Sequence, residues 1–249
     1  MLKSILQKVI SKSQSQSSPG VSEQWDKLQE HLSTTKRLID LGCGAHPHPR
    51  AVVGVDAFLE PLHRNLGYGP DLKAKDFRKQ GVWFIQADLA ALPFGDKEFD
   101  FAYSNHAFEH LPYPRKACSE MCRIAERGAI VTPSVFAEIA YGRSYHLWLV
   151  VARGNTLVFI KKTTHEDRPF GDHPIPKPDG GYRVTKKTNP FDILLNEGGW
   201  YHGRERMPRL SRLLRHFRYT HSPVHKVVFL WEGKFDCIVI YEDGRVEGG

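Results

Sequence analysis

The chain predicts an α/β fold built on a mostly parallel sheet that ends in an antiparallel strand. From residue 37 onward, short β-branched and aromatic runs alternate with turn signals and polar or helical stretches. Strands joined by crossovers on the faces of a sheet read this way. Near the C-terminus, HKVVFLW (225–231) and FDCIVIYE (235–242) are separated only by Glu232, Gly233 and Lys234. So short a connection joins antiparallel neighbours in a hairpin, because a parallel return takes about a dozen residues. With 249 residues, 41% of them hydrophobic, the chain can bury a core of its own, and no apolar run approaches the roughly 20 residues of a spanning helix.

Taken in order, residues 1–10 (MLKSILQKVI) set Leu2, Ile5, Leu6, Val9 and Ile10 on one helical stripe, with Lys3 and Lys8 off it. Such a helix packs on the body through a tether or touches a membrane surface. An organelle transit peptide shares its acid-free composition, the first acid being Glu23. SKSQSQSSPG (11–20) has linker composition, so 1–22 reads as an amphipathic helix plus linker and 23–249 as the main domain. Strands are expected in RLIDLG (37–42), AVVGVDAF (51–58), VWFIQADL (82–89), FDFAYSNH (99–106) and AIVTPS (129–134). Between the last two, RKACSEMCRIAE places Ala117, Met121, Ile124 and Ala125 on one face of an amphipathic helix. Residues 135–224 break the alternation with a hairpin turning at Arg153, Gly154 and Asn155, a Pro- and Gly-rich loop, and MPRLSRLLRHFRYT. They read as an insertion before the final hairpin, on the substrate side of the sheet.

The net charge of +7 is concentrated there: residues 141–224 hold 15 Lys+Arg against 7 Asp+Glu, or +8, which leaves −1 for the rest. The four cysteines, Cys43, Cys118, Cys122 and Cys237, form no CxxC pair and no zinc-finger spacing. They read as small buried residues in a reducing compartment, and the expected location is the cytoplasm.

Chemistry gathers at the strand ends. Asp40-Leu41-Gly42-Cys43-Gly44 follows a strand, and its glycines let the backbone turn sharply and approach a ligand at the carboxyl edge of the sheet. Pro47 stands where a dinucleotide fingerprint needs its third glycine, and the GxxxxGK(S/T) phosphate loop is absent. Asp56 ends the next strand, where a carboxylate can accept both hydroxyls of a ribose. Asp88 ends the third, where a carboxylate can take an exocyclic adenine amine while the next backbone N–H meets a ring nitrogen. Three acids at successive strand ends beside a glycine loop describe a nucleoside pocket without phosphate chemistry.

In the order DLGCG, GVDAF, ADLAALPFGDKEFDFAYSNHAFEHL and EMCRIAERGAIVTPS, the chain resembles the class I S-adenosylmethionine-dependent methyltransferases. The likeness covers about residues 37–134 plus the final hairpin. It looks like the common methyltransferase-domain branch, in a subgroup marked by GCGxxPHP. The resemblance implies a Rossmann-like, mostly parallel seven-stranded sheet with a C-terminal antiparallel hairpin strand, and S-adenosylmethionine as cofactor. It implies that Gly42 and Gly44 carry the methionine end, Asp56 the ribose, and Asp88 and Leu89 the adenine. It further implies that Asp40, Cys43 and Ala57 are cofactor-binding positions and that Asn105 and His106 face cofactor and substrate. The family's usual third glycine is His46 here. Residues 45–50, with Pro47 and Pro49, are too few and too broken for a full crossover helix, which reduces the helix-dipole contribution to holding the methionine carboxylate. His46, Arg50 or backbone amides are the available substitutes.

Methyl transfer is an in-line displacement that positioning alone accelerates, and a base helps where the nucleophile must lose a proton. The candidates are His106, Glu109 and His110, which share a face if their segment is helical. HxxEH also resembles the spacing of helical zinc sites, but no third ligand is identifiable and no metal is expected. The aromatic and basic insertion, with Trp148, Phe159, Phe170, Tyr182, Trp200, Tyr201 and His202, suits a small molecule or glycan gripped by Arg. Two alternatives stay open. One is an RNA methyltransferase using the basic insertion, with Arg206, Arg209, Arg212, Arg215 and Arg218 around a leucine stripe. The other is a non-catalytic methyltransferase-like binding module.

Overall fold

A computed structural model describes residues 21–44, 46–57, 74–141, 146–162, 171–176, 182–187 and 225–248. The expected N-terminal helix and linker, and the basic segment MPRLSRLLRHFRYT, lie outside the described residues, as do Phe170, Trp200, Tyr201 and His202. No helix among the described residues is long and apolar enough to cross a membrane.

Helix α1 (Val21–Thr34) comes first. It was not expected from the sequence, although Trp25, Leu28 and Leu32 have helical spacing, and Leu28 and Leu32 are buried. Strands β1 (Leu38–Leu41) and β2 (Ala51–Asp56) follow, then α2 (Ala74–Lys79), β3 (Trp83–Gln86) and β4 (Phe99–Asn105). A 3-10 turn (Phe108–His110) leads to α3 (Pro114–Ile124), which runs straight into β5 (Ala125–Pro133). Pro114 sits in the first turn of α3, where its missing N–H costs nothing. After α4 (Val135–Tyr141) come β6 (Trp148–Arg153), β7 (Thr156–Lys161), β8 (Gly171–Pro176) and β9 (Tyr182–Lys187). Strands β10 (Lys226–Glu232), β11 (Asp236–Ile240) and β12 (Val246–Glu247) are the last of the described elements.

The main sheet has the order β10-β5-β4-β1-β2-β3. Its first five strands in sequence run parallel, and β10 lies antiparallel on β5. Strand alternation splits the core between the two faces. Leu38, Phe101, Ala129 and Val131 pack with Leu28 and Leu32 of α1. Ile39, Leu41, Ala102 and Ile130 pack with Ala117, Cys118, Met121 and Ile124 of α3. The expected amphipathic helix is therefore α3, and Ala125, assigned to its buried face, is the buried first residue of β5.

The C-terminal hairpin does not form. Strand β10 stays in the main sheet at its antiparallel edge, as expected, but β11 leaves to lie parallel to β7 in a second sheet, β12-β11-β7-β6. The main sheet therefore has six strands among the described residues rather than seven. The short connection is a corner between sheets. Gly233 takes φ +70 and donates its N–H to the Glu126 carbonyl, and Phe235 packs edge-on against Phe229 with ring centroids 4.9 Å apart. Turning the corner lets Val239 join the core with Trp148 and Phe159, burial that an outer hairpin strand would forgo. The β6–β7 hairpin is present and turns at Gly154 and Asn155. The Pro- and Gly-rich stretch expected as loop contains the antiparallel pair β8–β9.

Candidate active site

Strand β1 ends at Leu41, and the chain turns through Gly42 (φ +73) and Gly44 (φ +55). The N–H groups of Gly42 and Cys43 both donate to the Val55 carbonyl, at 2.8 and 3.0 Å, folding the turn over the end of β2. A Cβ on Gly42 would collide with the Ala107 Cβ and reach the Leu89 side chain. The segments after β1, β3 and β4 thus meet at a position that only glycine fits. At Gly44 a Cβ would meet nothing within 4 Å among the described residues, which leaves the backbone there approachable by a ligand. No crossover helix lies between β1 and β2 among the described residues.

Two acids flank this turn. Asp56 accepts the Gly44 N–H at 2.8 Å through Oδ2. Asp40 is 4% exposed and accepts the His48 N–H at 2.7 Å. Burial pushes its carboxyl up to about 7, against the His48 bond and with help from the Asp56 charge. Burial and the neighbouring Asp40 also raise the Tyr103 hydroxyl, and the His48 ring meets Tyr103 edge-on. Asp88 stands two residues beyond β3, and its Oδ1 accepts the Ala90 N–H at 2.8 Å. Ala87 ties this loop to β2 by donating to the Asp56 carbonyl at 3.1 Å, and Leu89 is buried beneath the glycine turn. Cys43 is buried, so it offers the site its backbone rather than its thiol. The Ala57 carbonyl accepts from Gln86 at 3.0 Å, and Asn105 is exposed at the end of β4.

The loop carrying Asp88 and Leu89 is clamped from α3. The Arg123 guanidinium grips Glu120 through Nε and Nη2, each at 2.8 Å, and also donates to the carbonyls of Leu92 and Phe94. Glu120 in turn accepts the Leu92 N–H at 2.8 Å. Lysine cannot reproduce this planar fork. Arg123→Lys is expected to cost about 1–2 kcal/mol in urea unfolding; a variant as stable as the parent would show that the clamp contributes nothing. A cavity of about 350 Å³ beside the start of α3 is lined by Tyr113, Arg115, Lys116, Glu120 and Tyr241, and none of the predicted site residues lines it.

The third part of the site follows β4. His106 is held at φ +57, a conformation that strains any residue with a Cβ. Its N–H donates to the Val131 carbonyl at 2.8 Å, and its Nδ1–H to Glu109 Oε1 at 3.1 Å. The short turn brings His106, Glu109 and His110 together as the sequence spacing suggested, with His110 Nε2 4.0 Å from Glu109 Oε1. Glu109 is fully buried. Burial alone would raise its carboxyl, but the His106 hydrogen bond and the charges of His106, His110 and His146 hold it down at about 2. His146 packs edge-on against His110, with centroids 4.6 Å apart, and bonds Glu138 through Nδ1. Lys162 Nζ donates to the other Glu138 oxygen at 2.6 Å. Sequence reasoning missed Ala107, Glu138 and His146. A small residue after His106 was the available signal for the first, while His146 arrives from another element and has no local signature.

Residues 39–132 match the family model described as a methyltransferase domain. A demethylmenaquinone methyltransferase of Renibacterium salmoninarum is 30% identical over 109 residues, covering 43% of this chain and 44% of that protein. A malonyl-(acyl-carrier protein) O-methyltransferase of Buchnera aphidicola subsp. Baizongia pistaciae is 36% identical over 118 residues, 43% of this chain and 41% of that one. The chain thus spans less than half the length of these relatives in the match. The YcgJ protein of Bacillus subtilis superposes with a TM-score of 0.40 at 16% identity, over 90% of this chain and 93% of that chain. The matched segment 39–132 holds the glycine turn at the carboxyl edge of the parallel sheet, and in that segment the chain is similar to a methyltransferase domain.

Proposed function

We propose that the chain transfers a methyl group from S-adenosylmethionine to a small-molecule acceptor, by O- or N-methylation. The carrying observation is the junction at Gly42. There a side chain is excluded by Ala107, while the adjacent Gly44 backbone lies open and is held by Asp56. The donors and acceptors around that opening fit an adenosyl group: open glycine backbone for the methionine end, Asp56 for the ribose hydroxyls, and the Leu89 N–H for the adenine ring. Relatives named for demethylmenaquinone and malonyl-acyl-carrier protein favour a small acceptor, and residues 135–224 are the part of the chain assigned to it.

When bound, the cofactor supplies an electrophilic methyl on a sulfonium. The chain's own contribution is positioning plus one proton acceptor. The Glu109 carboxylate takes the Nδ1–H of His106, fixing the ring so that Nε2 carries the lone pair. That nitrogen receives the proton of the acceptor hydroxyl or amine as it attacks. Buried Glu109 orients His106 and does not titrate through the reaction.

Calorimetric titration with S-adenosylhomocysteine tests the reading. The parent chain is expected to bind it. Asp56→Ala is expected to lose about 1.5–3 kcal/mol, the value of hydrogen bonds to a charged group, or roughly 10- to 150-fold in affinity. Absence of binding by the parent, or unchanged affinity in the variant, would remove the assignment.

A further inference from the structure

We propose that Glu109, His110 and His146 form a site for one divalent transition-metal ion of the zinc class. The sequence spacing supplied two ligands and no third. The fold brings the third from 36 positions beyond His110, in the segment that leads into β6. One nitrogen from each histidine and one oxygen of Glu109 lie within 4.8 Å of one another, so modest side-chain rotation closes them onto a common centre at zinc bond lengths of about 2.0–2.2 Å. Two imidazoles and a carboxylate favour zinc and its transition-metal neighbours over magnesium or calcium, which prefer all-oxygen shells.

Two further observations point to a ligand. Glu109 is fully buried, and while its Oε1 accepts from His106, its Oε2 has no hydrogen-bond partner. A buried, unsatisfied carboxylate oxygen is costly unless something positive meets it. Behind the cluster, Glu138 receives His146 Nδ1, and Lys162 secures Glu138 from its other oxygen. Metal-binding histidines are commonly backed by a carboxylate in this way, which fixes the tautomer and leaves Nε2 as the donor atom. The scaffold is tied in place. Leu147 donates its N–H to the Glu109 carbonyl at 2.7 Å, Lys162 donates to the Leu147 carbonyl at 3.0 Å, and Trp148 Nε1 donates to the Leu111 carbonyl at 2.7 Å. With three protein ligands, a tetrahedral ion keeps a fourth position for water or an acceptor oxygen. The His110 side chain, 36% exposed, gives that position access to solvent.

The test is metal uptake by the full chain, read separately from S-adenosylhomocysteine binding. After chelator treatment and dialysis, the protein is titrated with Zn²⁺ by calorimetry and with Co²⁺ by visible absorption. The expected result is one equivalent of each, with cobalt ligand-field bands and no thiolate charge-transfer band. His110→Asn and His146→Asn are each expected to weaken uptake at least tenfold. His110→Asn, at a partly exposed position, is the variant expected to keep its far-ultraviolet circular dichroism. The proposal is overturned by no stoichiometric uptake, by uptake unchanged in a folded His110→Asn variant, or by a thiolate band, which would place the ion at Cys118, Cys122 and Cys237.

Discussion

Asp40→Asn is expected to make the ligand-free protein more stable at pH 8, by on the order of 4 kcal/mol. The buried carboxyl is raised from its ordinary 3.8 to about 7. Between these values the folded chain holds a proton that the unfolded chain has released, so stability falls as pH rises through this window and stays low above 7. At about 1.4 kcal/mol per pH unit, the full cost reaches the figure given. Asparagine never ionises, yet its amide oxygen can still accept the His48 N–H. Thermal melts should therefore show the variant roughly 10 °C above the parent at pH 8, with the gap closing toward pH 4. A constant gap across that range would locate the effect in packing instead of ionisation. An acid kept at such cost beside the glycine turn suits a functional role, and the same variant is expected to bind S-adenosylhomocysteine at least tenfold more weakly.

Gly42→Ala is expected to be the most damaging single-methyl change in the site. Alanine at φ +73 costs about 1–2 kcal/mol in backbone strain. The collision with Ala107 adds about 1–3 kcal/mol of overpacking, for a loss of about 2–5 kcal/mol in urea unfolding. Gly44→Ala isolates the first contribution, because Gly44 shares the left-handed backbone but has open space around its would-be Cβ. It should lose about 1–2 kcal/mol. Equal losses at the two positions would mean that Ala107 gives way freely.

Features carried by a few consecutive residues were legible in the sequence. The parallel strands, α3 and the turn Asp40–Gly44 each announce themselves through local periodicity and paired glycines. The absent crossover helix was legible too, because Pro47 and Pro49 forbid it in so short a span. What escaped depends on partners distant in the chain. The β10–β11 connection has hairpin length, but packing at the Phe229, Trp231 and Phe235 corner decides where β11 goes. Helix α1 was overshadowed by the linker-like composition just before it. In the candidate site, Asp56 and His106 stand at strand ends that the pattern marks, whereas His146 comes to Glu109 from the segment before β6 and Glu138 bonds His146 from α4, and no spacing rule joins them.

The departure of β11 from the main sheet also sets the order in which the molecule can be assembled. Its partner β7 is paired from Thr156 to Ile160 against Asp236 to Ile240, 80 positions further on, so this sheet closes only after that long stretch of chain has been made. Until then β7 presents a bare edge, an opening for stray strand pairing. The nascent chain must hold that edge unfinished while the main sheet, complete apart from β10, is already able to collapse.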